Sequence, residues 1–173
     1  MMKIETAQLR ERAKELKAGD KILLSGVIYT ARDAAHKKIT ELIKAGGELP
    51  FELKDAVIYY SGPTPEREGM PVGSCGPTTS SRMDGFAPLL YDLGVAATIG
   101  KGGRTDDVKD AITRNGALYL CAVGGVGALL AGCVEAADIV AFPELGCEAV
   151  RRMRIKDMPL YVGIDPRGGS LFK

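Results

Sequence analysis

The chain has 173 residues, 46% of them hydrophobic and 26% charged, with a formal net charge of +1. That composition fits a soluble globular protein, and the length suits a single domain (residues 1–173) that buries a core without disulfides or metals. Near-zero charge argues against nucleic acid or an anionic membrane as main partner. No window suits a bilayer span and the N-terminus lacks a signal-peptide apolar region, so the cytoplasm is the expected location.

Residues 6–18 place Leu9, Ala13 and Leu16 on one face of a predicted helix, ended by Gly19-Asp20. KILLSGVIYT (21–30) follows as a strand, with Gly26 marking a bulge or a close approach. Thr30-Ala-Arg-Asp33 resembles a capping box and predicts a helix through Lys44, closed by Gly46-Gly47. AVIYY (56–60) is a short apolar strand. After a loop over 62–73, Gly76-Pro77 suits a helix start, and the helix would run to about Leu93, with Gly85 and Pro88 able to kink or divide it. VAATI (95–99) is a strand, GKGG (100–103) a turn, and Thr105-Asp-Asp the start of a helix ending at Asn115-Gly116. ALYLCAV (117–123), IVAFP (139–143) and PLYVGID (159–165) complete the predicted strands.

Strands alternating with helices predict one α/β domain with a mixed or largely parallel core sheet and flanking helices. The run RRMRIK (151–156) is broken by apolar residues and reads as a solvated or interface edge. The four cysteines, at 75, 121, 133 and 147, form no CxxC pair and have no histidine at finger spacing, so no structural zinc site is expected. Cys121 and Cys133 read as packed thiols.

Three stretches each set a glycine-rich or capped turn beside a cation: Thr30-Ala-Arg32-Asp33, Gly76-Pro-Thr78-Thr79-Ser-Ser-Arg82, and Gly100-Lys101-Gly102-Gly103. Free N–H groups and a helix dipole at such places favour an anion. Arginine adds a planar fork that matches a carboxylate. Two arginines and a lysine converging on one cleft would suit a dicarboxylate. If residues 77–93 are helical, Thr78 and Arg82 share a face. Each stretch also has a plain structural reading: Thr78 or Thr79 as an N-cap, Arg82 paired with Asp84 or an acidic neighbour at the surface, Lys101 as a turn lysine, Arg32 as a solvated helix residue. His36, the single histidine, lies four residues after Arg32 and fits a supporting role. GKGG lacks P-loop spacing. Gly124-Gly-Val-Gly127 is a poor match to a dinucleotide fingerprint, which leaves a non-catalytic nucleotide- or anion-binding domain as a rival reading.

Five stretches in order, SGVIYTARDAAH (25–36), YSGP (60–63), GSCGPTTSSRMD (73–84), IGKG (99–102) and PELG (143–146), resemble the class I fumarate hydratase family, specifically its C-terminal region. In two-subunit members that region is a separate β subunit, and the β subunit of L-tartrate dehydratase is similar. The resemblance implies a swivelling β/β/α fold and reversible hydration of a dicarboxylate double bond. It implies a 4Fe–4S cluster ligated by a partner α subunit rather than by this chain, and an α2β2 assembly that is inactive without the α subunit. Residue by residue, it implies substrate-carboxylate contacts by Arg32, Arg82 and Lys101, with Thr79 and Gly102 beside them. Thr78 would move a proton at carbon, Asp33, His36 and Asp84 would support the site, and Cys75 would be a small packed residue.

Overall fold

The computed structural model describes residues 1–172. Among these residues seven strands form one mixed sheet: β1 (Met2–Glu5), β2 (Lys21–Thr30), β3 (Val57–Tyr59), β4 (Ala97–Gly100), β5 (Leu118–Cys121), β6 (Val134–Ala141) and β7 (Val150–Ile164). Their order is β1-β2-β3-β4-β5-β7-β6, and β2 also pairs with β7. Strands β2, β3, β4, β5 and β7 thereby close into a five-stranded barrel. β2 to β5 run parallel to one another, and β7 closes the ring antiparallel to both β5 and β2. The α/β class with its mixed sheet and flanking helices is as the sequence led us to expect.

β7 shows why closure works. The basic run falls inside it, and period-two alternation buries Met153 and Ile155 while Arg152, Arg154 and Lys156 face water. The strand predicted at 159–165 covers only the last six residues of a fifteen-residue strand. Ile22, Leu24, Ile28, Val57, Tyr59, Ala97, Ile99, Leu118 and Leu120 supply the same inner face. The outer face, including Ile58, Tyr119 and Ile164, is covered by α2 (Asp33–Ala45), α3 (Ala87–Asp92) and α4 (Asp106–Arg114).

The N-terminal helix is shorter and less regular than expected. A single turn, α1 (Leu9–Arg12), lies between 3-10 turns at Thr6–Gln8 and Ala13–Glu15. Leu9, Ala13 and Leu16 are nevertheless buried with the barrel interior, so the apolar face was read correctly. Gly26 is a close approach: at φ 115° it leaves room for the Thr6 side chain, whose hydroxyl accepts the Val27 N–H at 3.1 Å. The bulge sits on the partner strand, where Lys156 and Asp157 oppose Ser25.

Two expected helix starts are displaced. α2 begins at Asp33 with Arg32 at the cap position, not with Thr30 as a capping box. Thr30 is buried, and its hydroxyl donates to the Ala149 carbonyl and accepts the Arg151 N–H, so it serves the sheet. The helix expected from Gly76-Pro77 to Leu93 is absent. Only a 3-10 turn (Ser80–Met83) and α3 form, because strand-end carbonyls capture the preceding amides. Thr78 N–H donates to Tyr60 O at 2.6 Å and Ser80 N–H to Lys101 O at 2.9 Å. Residues 78–80 are thus held as an extended strap across the ends of β3 and β4.

Candidate functional site

The parallel strands β2 to β5 all end at one rim of the barrel, and loops following their carboxyl ends are where α/β folds place ligands. All three candidate anion-binding stretches lie there: TARD at the end of β2, GKGG at the end of β4, and the Gly76–Arg82 strap across β3 and β4.

Arg32 sits at the N-cap of α2, its side chain lying over Gly62 and its Nε 3.9 Å from Glu148. That Nε is buried without a hydrogen-bond partner. Glu148 also accepts the Ala34 N–H, which leaves a carboxylate at the helix N-terminus. Asp33 pairs with Arg82: Nε donates at 3.1 Å and Nη2 lies at 2.9 Å. Arg82 is thus tied to α2: of the two plain partners, Asp84 or another acidic neighbour at the surface, the structure gives the second. Thr78 and Arg82 do not share a helix face, since Thr78 lies in the strap before the 3-10 turn.

Lys101 follows β4 and bridges to Thr79, and its side chain runs beside Gly124. Gly102, at the exposed tip of the turn, has φ 80°. Gly100 must be a glycine for a steric reason. A Cβ there would overlap the Ser80 hydroxyl and come within 3.0 Å of the Tyr60 ring, so the strap could not cross β4.

His36 is fully buried beneath Arg32. Its Nδ1 contacts the Arg32 carbonyl at 2.8 Å and so carries the proton, while Nε2 has no partner. Burial, partly offset by that bond, lowers its pKa to about 4, which leaves the ring neutral at pH 7. The ring meets Tyr60 edge-on at 5.3 Å. Asp84 is also buried, but its partner is Arg104, which the sequence reading missed because a charge in a polar turn reads as exposed.

Cys75 is buried in the barrel core, and burial pushes its thiol up to about 12. Cys121 and Cys133 are partly buried and shifted the same way, and Cys147 is exposed. Thiols so dispersed do not fit a cluster site, and among the described residues no group of three or more His, Cys, Asp or Glu could hold a metal ion. A concavity of about 560 Å³ lined by Lys3, Glu5, Gln8, Glu135 and Arg154 contains none of the candidate residues. No helix among the described residues is long and apolar enough to cross a membrane.

The fold is a small closed-barrel domain, and loops at one end of its parallel strands carry Arg32, Lys101 and the strap with Arg82. The chain belongs to the Fumarase C-terminus family, which matches residues 1–173. It is 41% identical over 155 residues to the anaerobic class I fumarate hydratase of Escherichia coli K12, covering 88% of this chain and 28% of that protein. It is 37% identical over 167 residues to fumarate hydratase 2 of Leishmania major, covering 95% and 29%. A Methanocaldococcus jannaschii protein provisionally named L(+)-tartrate dehydratase subunit beta is 39% identical over 170 residues, covering 95% and 87%. The chain thus spans under a third of the two fumarate hydratases and nearly all of the third protein.

Proposed function

We propose that this chain is the substrate-clamping part of a hydro-lyase that reversibly adds water to fumarate to give L-malate. It would act with an α subunit corresponding to the part of the fumarate hydratases it does not cover, in an α2β2 assembly. The observation that carries the reading is the rim where Arg32 and Lys101 follow strand ends and the segment bearing Thr78 and Arg82 is tied to both, through the Thr79–Lys101 bridge and the Arg82–Asp33 pair. The 4Fe–4S cluster associated with such enzymes would belong to the α subunit, since the thiols here do not fit one.

In this reading Arg32, Arg82 and Lys101 hold the two carboxylates, with Thr79 and Gly102 lining the site. Losing a proton from carbon pushes negative charge into the neighbouring carboxylate, and fixed cations stabilise that growing charge. The Thr78 hydroxyl would relay the proton. A neutral hydroxyl is a poor base, so its proton must pass to a group on the α subunit. Asp33 fixes Arg82 by one edge and leaves the other edge for substrate. His36, neutral and bonded to the Arg32 carbonyl, steadies the α2 cap.

A second reading, dehydration of L-tartrate to oxaloacetate, draws on the relative of matching length whose name contains that activity. Co-expression with the α subunit under anaerobic conditions, assayed on fumarate and on tartrate, separates the two. Arg82→Ala should lower kcat/KM by about 100-fold or more, equivalent to ~3 kcal/mol, if the residue clamps substrate through charged hydrogen bonds. An unchanged rate rejects that role.

A further inference from the structure

Arg104 follows the GKGG turn, and its side chain is fully buried. Nε donates to Asp84 at 2.6 Å, Nη1 to the Thr98 hydroxyl at 3.1 Å and Nη2 to the Tyr60 hydroxyl at 3.2 Å. The guanidinium lies 4.8 Å from the Tyr119 ring centroid and 5.3 Å from that of Tyr60. The other Asp84 oxygen accepts the Thr105 N–H at 2.7 Å. The Tyr119 hydroxyl is bonded to Ser80 Oγ at 2.9 Å and to the Gly102 carbonyl at 2.8 Å. The polar cluster therefore joins two segments. One is the turn bearing Lys101 and Gly102. The other is the strap and 3-10 turn bearing Thr78 and Arg82.

We infer that Arg104 is a positioning residue for the reaction proposed above, on which this inference rests: it locks the Lys101 turn against the Thr78–Arg82 segment from beneath. Stability alone does not account for it. A buried ion pair costs two desolvations and commonly gains nothing over apolar side chains of similar volume. What the arginine adds is direction. Three donors in a rigid plane reach three acceptors on different elements. Arg104 itself, with no exposed side-chain surface, touches no substrate.

The test uses the full chain and its complex with the α subunit. Arg104→Met combined with Asp84→Asn removes both charges together and leaves no carboxylate unpaired, while Arg104→Lys keeps the charge without the fork. Amide hydrogen exchange on the chain should show Thr78 and Ser80 exchanging at least tenfold faster in the double variant, with β2 and β7 amides unchanged. In the complex, kcat should fall about 100-fold, as for a small misplacement of reacting groups. KM should rise less than tenfold, because Arg32 is held separately. Arg104→Lys should recover only a small part of kcat, and it supplies the same readouts if the double variant does not fold. Unchanged exchange at Thr78 and Ser80 overturns the inference. So does a loss of rate merely proportional to unfolded protein, with all amides exchanging faster together. Faster local exchange, with a wild-type complex that hydrates neither substrate, upholds the positioning and rejects the functional reading instead.

Discussion

The carboxylate of Asp33, first residue of α2, lies 2.9 Å from Arg82 Nη2 and accepts its Nε–H at 3.1 Å, joining two segments 49 positions apart. Arg82 is about half exposed, so water screens the pair and its contribution to stability is small. What the contact does is hold one edge of the guanidinium. Asp33→Asn should change unfolding free energy by less than ~1 kcal/mol. In the complex it should raise KM several-fold through a looser Arg82. Denaturant melts and steady-state kinetics check both, and an unchanged KM shows the pair has no part in orienting the clamp.

His36 makes stability pH-dependent. Its folded pKa, about 4, lies below its unfolded value of 6.5, so the unfolded chain takes up the proton first as pH falls. The stabilisation is complete above pH 6.5 and is lost between there and pH 4, amounting to about 3 kcal/mol. Carboxylates titrate in the same range, so the relevant quantity is the difference from His36→Phe. That variant should show a shallower loss of stability across this window, and parallel curves contradict the assignment.

Thr30→Val tests whether this threonine serves the sheet or a helix cap. The buried hydroxyl accepts the Arg151 N–H at 3.1 Å. Valine keeps the volume but leaves that amide unpaired, at a cost of about 1–3 kcal/mol. Urea titration should show the loss, with the circular-dichroism helix signal unchanged. A lost helix signal at constant sheet content points back to a cap.

Gly100→Ala should drive the strap off β4, because the added methyl meets Ser80 and Tyr60. We expect a lower melting temperature and a fall in kcat/KM of at least tenfold, read by calorimetry and by assay of the complex. Wild-type values for both mean the strap can cross without touching β4.

Long-range structure marks where the sequence was legible and where it was not. KILLSGVIYT, α2 and α4 were readable because alternation or a 3.6-residue period coincided with local stops. The strap was not, since Pro77 and its hydroxyls promise a helix until the carbonyls of Tyr60 and Lys101 compete for the amides. β1 is four residues with one buried side chain, too little for a pattern. The first half of β7 hid behind its own arginines. Among the candidate site residues, Arg32, Thr78, Arg82 and Lys101 were visible as chemistry. Their grouping through Asp33 and the Thr79–Lys101 bridge was not, and Arg104 carried no local signal.

The central claim is a division of labour in which this chain clamps substrate and the α subunit completes the site. The most direct measurement is fumarate hydration under anaerobic conditions by this chain alone, by the α subunit alone, and by the two combined. The account predicts turnover from the combination only, lowered at least about 100-fold by Arg82→Ala. Full activity from this chain alone would contradict it.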